Sequence, residues 1–168
     1  MRIRTATYQD LDDIYAIEQE SFLPNEAASY PALSERLRIF PDQFWVLEEN
    51  NSTLNKKDHI LLGFIGGIVT GHDRILDEMF THASLHDPSA KWLSVLGLAI
   101  APAYRQKGLA GKLLNQAAMQ ARAEARTGIT LTCKQHLVSF YEHFGYENAG
   151  ISISQHGGAR WHDMVLFL

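Results

Sequence analysis

Apolar residues recur along the 168-residue chain with two periods, one typical of strands and one typical of amphipathic helices. Short apolar runs bounded by glycine, proline or polar clusters predict strands at 1–8, 44–48, 59–70, 92–100, 129–133, 146–154 and 161–168. Apolar residues three and four positions apart predict helices at 11–22, 30–39, 74–80, 136–144 and from 109 to about 126.

Strands that precede, separate and follow helices are typical of an α/β fold. We therefore predict one α/β domain over residues 1–168, with three layers and a mixed central sheet of about seven strands. Helices should cover both faces of this sheet. The polar segment 49–58 is predicted to be a solvated hairpin loop, and 82–90 a mobile loop.

One stretch, residues 92–118, combines the features from which a binding site can be predicted. Its fourth strand is interrupted by Gly97, which is typical of a bulge, and Pro102 ends it. A turn with two glycines and several basic residues, 105–112, then leads into a helix. Small residues let backbone N–H groups approach an anion, and the helix N-terminus adds the positive end of its dipole.

The turn does not match the dinucleotide fingerprint or the P-loop, whose glycine spacings differ. It reads R-x-x-G-x-A, carried by Arg105, Gly108 and Ala110. This pattern resembles the acetyl-coenzyme A pyrophosphate loop of the GNAT N-acetyltransferase superfamily. An ordinary strand–turn–helix with glycines that merely ease the turn is the alternative.

A second segment, Leu131-Thr132-Cys133 followed by 138–146, resembles the late strand–helix segment of the same superfamily. More narrowly, the arrangement from Glu18 to Leu168 resembles the serotonin (arylalkylamine) N-acetyltransferase branch. The resemblance implies a GNAT-type fold, a bulged fourth strand and acetyl-CoA as the cofactor.

The composition of the chain limits the classes of partner that it can bind. The chain is 46% hydrophobic and 20% charged with a net charge of −4, as in ordinary soluble proteins, and it has no basic run suited to nucleic acid. The sequence contains no long apolar span, so no membrane segment is predicted. The single cysteine, Cys133, excludes an internal disulfide. These features predict a cytoplasmic protein, and they leave the choice between monomer and homodimer open.

The resemblance assigns the cofactor-binding residues. Backbone groups of Leu98, Ala99 and Ile100 would hold the pantetheine arm, and Arg105 would add positive charge. The pyrophosphate would bind the residues of the following turn, namely Gln106, Lys107, Gly108, Leu109, Ala110 and Gly111.

Acetyl transfer also needs an acid that protonates the leaving thiolate. Tyr141 matches the family tyrosine that serves this purpose. A phenol with a pKa near ~10 is a suitable donor to a thiolate whose conjugate pKa is near ~8.5. The alternative is that Tyr141 is a core aromatic residue on the apolar face of its helix. The oxyanion would accept from a backbone N–H near Gly97 and Leu98.

The general base is where the chain departs from the vertebrate serotonin enzymes. Their two strand histidines are replaced here by Ser94 and Leu96. Glu26 resembles the loop glutamate that insect arylalkylamine acetyltransferases use as base; the alternative is an exposed acid that stabilises the next helix. Ser94 is a further candidate, as the holder of a relay water.

Other reactive side chains are given structural interpretations. The histidines lack metal-ligand spacing, so no metal site is predicted. Cys133 is predicted to be a buried small hydrophobe rather than a nucleophile. Trp45, Trp92 and Trp161 are predicted to lie in the core or in a pocket wall.

The sequence thus predicts an acetyl-CoA-dependent N-acetyltransferase that transfers acetyl directly to a small primary amine through a ternary complex. The amine would be an arylalkylamine or a polyamine. Two alternatives remain: acetylation of a peptide or protein N-terminus, and a non-catalytic acyl-CoA-binding sensor that has lost its base.

Overall fold

A computed structural model describes residues 1–50 and 59–168. Within these residues the α-helices are α1 (Leu11–Ser21), α2 (Tyr30–Ile39), α3 (Leu109–Ala123) and α4 (Val138–His143). The strands are β1 (Arg2–Thr5), β2 (Phe44–Asn50), β3 (His59–Thr70), β4 (Trp92–Ile100), β5 (Gly128–Cys133), β6 (Glu147–Ile151) and β7 (His162–Phe167).

The strands form one sheet of seven in the order β1-β2-β3-β4-β5-β7-β6. The β4–β5 pair is parallel, whereas β1–β2, β2–β3, β5–β7 and β6–β7 are antiparallel. The predicted mixed sheet is therefore confirmed. No helix of the described ranges is both long enough and apolar enough to cross a membrane.

The chain divides into two compact units, of which the first comprises residues 1–66 and 97–116. In this unit α2 begins as predicted, because Ser29 Oγ accepts a hydrogen bond from the Ala32 N–H at 3.2 Å. The core of the unit consists of fully buried apolar side chains, among them Ile14, Leu37, Phe40, Phe44 and Leu47.

The second unit comprises residues 67–96 and 117–168. Here the guanidinium of Arg126 is buried and donates to the carbonyls of Pro88, at 3.2 Å, and Ala90, at 2.6 Å. It also pairs with Glu124 at 2.7 Å. These bonds fasten the end of the β3–β4 connection directly before β4 begins.

The predicted helix at 74–80 is wrong, since the segment holds only a 3-10 turn, Asp77–Phe80. The helical pattern arose because Ile75 and Met79, four positions apart, are both buried. The Asp77 carboxylate accepts hydrogen bonds from the Ser154 hydroxyl and the Gln155 N–H of the β6–β7 connection. The side chains are thus oriented by tertiary contacts rather than by helical periodicity.

Two other boundaries differ from the prediction. Glu49 and Asn50 belong to β2 rather than to a loop, and residues 51–58 of the predicted loop lie outside the described residues. The late helix starts at Val138 after a 3-10 turn, so Leu137, which falls inside the predicted helix 136–144, lies before it and is 38% exposed. Tyr141 is the residue of α4 that is buried.

Candidate active site

Strand β4 pairs with β5 over only part of its length. The parallel register covers Trp92 to Ser94, although β4 continues to Ile100. Beyond this pairing, Leu96, Gly97 and Leu98 are only half-buried. On the edge that faces β5, the backbone groups of β4 beyond Ser94 are therefore available for hydrogen bonds to a ligand.

The glycines of β3 show where β4 is irregular. A Cβ on Gly67 would lie 2.5 Å from the Ser94 carbonyl oxygen, and one on Gly63 would lie 2.7 Å from that of Ala99. The two glycines are four positions apart and the two carbonyls five, so β4 carries one extra residue between them. This is the spacing of a β-bulge, and it confirms the predicted bulged fourth strand.

The turn that follows β4 has the backbone of an anion-binding site. Gln106 and Gly108 both have positive φ, 62° and 73°, and α3 begins at Leu109. Residues 105–108 are exposed, and no described atom lies within 4 Å of an ideal Cβ at Gly108. Left-handed residues before a helix turn successive N–H groups toward one anion, and the helix dipole favours negative charge there.

Arg105 stabilises this turn by hydrogen bonds and also adds positive charge to it. Its Nε donates to the Ile100 carbonyl at 2.9 Å, and its Nη2 donates to Ser21 Oγ at 3.0 Å. The side chain therefore links the turn to the end of β4 and to the end of α1. This tie was not foreseen from the sequence, which gave Arg105 a purely electrostatic role.

Tyr141, the predicted general acid, is 8% exposed. Burial raises the pKa of its phenol well above the ordinary value of 10.0, and the nearby Cys133 raises it further. The ring contacts that of Tyr146 edge to face, with centroids 5.8 Å apart. A phenol in this setting keeps its proton over the whole physiological pH range.

Tyr146 was not singled out from the sequence. It is 3% exposed, and its hydroxyl has no hydrogen-bond partner among the described residues. Burial and the neighbouring Tyr141 raise the pKa of its phenol. The sequence did carry a signal for this residue, because Tyr146 directly follows Gly145. This glycine ends the helix with a φ of 90°.

Cys133 behaves as predicted. The thiol is buried, and burial raises its pKa to about 11. A thiol that stays protonated is not a nucleophile at physiological pH.

Ser94 is fully buried, and within the described part of the chain its hydroxyl lacks a hydrogen-bond partner. The same holds for Thr130, whose Cα pairs with that of Ser94 across β4 and β5. The two hydroxyls therefore have hydrogen-bonding capacity that no described residue uses.

Glu26 lies in the turn between α1 and α2 and is 9% exposed, so the alternative of an exposed acid is wrong. Its N–H donates to the Leu23 carbonyl at 2.9 Å, which closes the turn. Glu26 belongs to the first unit, and Ser94 and Tyr141 belong to the second.

A second buried carboxylate of the first unit, Glu18, was missed. It is 4% exposed; its Oε1 accepts from the Ala28 N–H at 2.8 Å, and its Oε2 lies 3.5 Å from an ideal Cβ at Gly97 of β4. Burial raises the pKa of this carboxyl. The signal was present, because Glu18 stands four positions after Ile14 on the buried face of α1.

Aromatic rings converge in the second unit. His156 stacks on Phe80 with centroids 4.0 Å apart, and its ring lies 6.2 Å from that of Trp161. Lys134 Nζ lies 5.7 Å from the Trp161 centroid. Trp161 is thus half-buried in a cluster, whereas Trp45 and Trp92 are buried.

A cleft of about 600 Å³ lies in the same unit. Its polar lining includes three carboxylates and a histidine, and its apolar lining includes leucine, methionine and isoleucine side chains. The lining residues are Thr70, Gly71, His72, Leu76, Asp77, Glu78, Met79, Leu85, Asp87, Ile153 and Ser154. Such a surface suits a cation that carries an apolar group.

Comparison with known proteins gives the family. A model described as an acetyltransferase (GNAT) domain matches residues 41–148, more than half of the chain. Serotonin N-acetyltransferase from Mesocricetus auratus is 28% identical over 148 residues, which cover 88% of this chain and 68% of that protein.

Solved structures agree on the fold. The GphF GNAT-like decarboxylase in complex with isobutyryl-CoA matches with a TM-score of 0.74 at 21% identity, covering 99% of both chains. The ribosomal-protein-S18-alanine N-acetyltransferase from Escherichia coli matches with a TM-score of 0.67 at 16% identity, covering 99% of this chain and 92% of that one. Both confirm the predicted fold. The chain belongs to the GNAT family, as an acyl-CoA-dependent acetyltransferase.

Proposed function

We propose that the protein transfers an acetyl group from acetyl-CoA directly to the primary amine of a small aromatic alkylamine. The proposal is carried by the anion-binding turn at Gln106 and Gly108, which follows a bulged strand whose residues 96–98 are half-buried. Acetyl-CoA, when bound, supplies the thioester that the amine attacks.

The residues that would hold the cofactor fit it. Left-handed Gln106 and Gly108 direct N–H groups outward, and the open space at Gly108 leaves room for a phosphate. Lys107, exposed beside them, adds positive charge. Backbone groups of Leu98 and Ala99 would hold the pantetheine arm, since the Ile100 carbonyl already accepts from Arg105.

The chain's own residues supply the proton chemistry. Tyr141 holds a proton on its phenol oxygen and donates it to the departing sulfur. The bulge at Gly97 and Leu98 provides a backbone N–H for the oxyanion. Glu26 is the predicted base that removes a proton from the ammonium, and Ser94, as the holder of a relay water, is the alternative to it.

Two surfaces of the second unit support an aromatic alkylamine as the acceptor. The carboxylates of the 600 Å³ cleft favour an ammonium, and its apolar lining favours a hydrophobic substituent. The Phe80, His156 and Trp161 cluster offers aromatic faces for a ring. The relative named serotonin N-acetyltransferase supports the same class. A polyamine would use the carboxylates but not the aromatic cluster.

A panel of acceptors tests this assignment. Tryptamine, phenethylamine, spermidine and a peptide with a free N-terminus are each offered with acetyl-CoA, and kcat/KM is measured by thiol release. We expect the two aromatic amines to have the highest kcat/KM. Turnover confined to the peptide would favour N-terminal acetylation. Coenzyme A binding without turnover of any acceptor would favour the sensor.

The Glu26→Gln variant tests the predicted base. We expect kcat/KM to fall at neutral pH and to recover in part at high pH, because the amine then loses its proton to solvent. The measurement is kcat/KM for tryptamine as a function of pH. A profile identical to that of the parent would mean that the base lies elsewhere.

A further inference from the structure

We propose that Ile153 is a specificity-determining residue that contacts the apolar part of the acceptor, and that Asp77 is the positioning residue that holds it in place. The inference rests on the proposed function and assigns one side chain of the 600 Å³ cleft to the part of the amine that does not react. Three observations in the second unit carry it: an inverted burial pattern, a carboxylate that joins two connections, and the charge of the cleft.

The β6–β7 connection reverses the usual burial of apolar and polar side chains. Ile153 is 79% exposed, more than any other large apolar side chain among the described residues, and it lines the cleft. The serines on either side of it, Ser152 and Ser154, are 9% and 6% exposed. Buried hydroxyls need hydrogen bonds, and an exposed isoleucine is stabilised only when an apolar group covers it. The pattern therefore indicates that Ile153 contacts an apolar ligand.

Asp77 explains why the serine side of this connection is buried. One of its carboxylate oxygens accepts from the Ser154 hydroxyl at 2.5 Å, and the other accepts from the Gln155 N–H at 3.0 Å. Ser154 Oγ in turn accepts from the His156 N–H at 3.3 Å. Because these bonds hold Ser154 and Gln155 against Asp77, the neighbouring Ile153 is the side chain that stays exposed on the cleft.

A ring contact supports the same attachment. Phe80 ends the 3-10 turn that begins with Asp77, and its ring stacks on that of His156 with centroids 4.0 Å apart and an interplanar angle of 14°. The carbonyl of His156 also accepts from Trp161 Nε1 at 2.9 Å. The β3–β4 and β6–β7 connections are therefore joined at two places, which fixes the backbone that carries Ile153. A contact residue that is fixed before binding loses less conformational entropy when the ligand arrives.

The charge of the cleft suits the other end of the acceptor. Asp87 lines the cleft and is exposed. Its Oδ1 accepts from the Ser89 hydroxyl at 2.7 Å and from the Ser89 N–H at 2.9 Å, and these bonds lower the pKa of the Asp87 carboxyl below its ordinary value. The group is therefore a carboxylate at neutral pH and attracts an ammonium. A ligand with a cationic end and an apolar end, as in an aromatic alkylamine, matches Asp87 and Ile153 together.

The Ile153→Ala variant tests the contact, with Ile151→Ala as the matched control. Ile151 is also exposed, at 50%, but it is not among the described residues that line the cleft. The measurement is kcat/KM for phenethylamine and for ethylamine, which carry the same ammonium and differ by the ring. In Ile153→Ala we expect the ratio of phenethylamine to ethylamine to fall about tenfold, within the range for small apolar contacts in a pocket. In Ile151→Ala we expect the parent's ratio.

Asp77→Ala and Asp77→Asn test the positioning role. Alanine removes both acceptors, so Ile153 loses its fixed position, and we expect the same ratio to fall with the KM for acetyl-CoA unchanged. Asparagine keeps one oxygen that can accept from the Ser154 hydroxyl, so we expect an intermediate ratio. Loss of the negative charge alone would lower kcat/KM for both amines alike and would not move the ratio.

An Ile153→Ala variant with the parent's ratio would overturn the proposal, and so would equal losses for the two amines. The parent's ratio in Asp77→Ala would overturn the positioning role of Asp77. In each of these cases the parent still acetylates phenethylamine, which leaves the proposed function standing. A parent that acetylates neither amine would overturn the proposed function itself.

Discussion

Replacing Tyr141 by phenylalanine is expected to lower kcat by about 10²-fold or more, the range measured for lost general acid catalysis. The phenol is buried and its pKa is raised, so it carries its proton at neutral pH, and the same shift makes it a weaker acid that donates only to a strongly basic departing thiolate. The substitution removes one oxygen and keeps the ring, so the edge-to-face contact with Tyr146 should persist. Steady-state kcat with saturating acetyl-CoA is the measurement.

Tyr146→Phe is the matched control, since it removes a neighbouring hydroxyl of the same chemistry. That hydroxyl is buried without a partner among the described residues, so its loss should leave stability equal or slightly higher. We expect kcat to change little. If the two variants lose activity equally, the loss results from altered packing of this tyrosine pair rather than from a lost acid. An unaltered kcat for Tyr141→Phe would mean that Tyr141 is not the general acid.

Replacing Gly108 by valine is expected to weaken acetyl-CoA binding about tenfold or more. Gly108 has a φ of 73°, where an L-residue incurs roughly 1–2 kcal/mol and a β-branched one more. In the valine variant the turn would adopt another conformation in the free protein, and the binding of acetyl-CoA would have to restore the original one. An unfavourable term of about 1.4 kcal/mol corresponds to a factor of ten in Kd.

The Gly108→Asn variant distinguishes the effect of backbone conformation from the effect of side-chain volume. Asparagine tolerates positive φ better than valine, and both place a Cβ where the structure is open. We expect affinities in the order parent, Asn, Val, measured by titration calorimetry with coenzyme A. Equal affinity for the parent and the valine variant would mean that this turn does not hold the pyrophosphate.

The elements that the sequence predicted well are those governed by local chemistry. The helix at 30–39, the bulged strand with Gly97 and the helix that carries Tyr141 each have a local signal, and each is found. The segment 74–80 was misassigned because Ile75 and Met79 have helical spacing, whereas Asp77 is bound by Ser154 and Gln155, far along the chain.

The site was predictable only in part, for a similar reason. The anion-binding turn could be recognised from glycines close in sequence. The contact of Glu18 with Ala28 and Gly97 joins residues up to 79 positions apart, and no local pattern encodes it. Likewise, Arg105 could be given a charge from the sequence, but not its hydrogen bond to Ser21. Burial of Glu26 also depends on tertiary packing.

The stoichiometry of the reaction with acetyl-CoA and tryptamine tests direct acetyl transfer. Free coenzyme A is measured by thiol reaction and N-acetyltryptamine by mass spectrometry, in the same samples over time. Direct transfer predicts equal amounts of the two products, both dependent on enzyme and on amine. Coenzyme A release without acetylated amine, or tight coenzyme A binding with neither product, would contradict the proposed acetyl transfer.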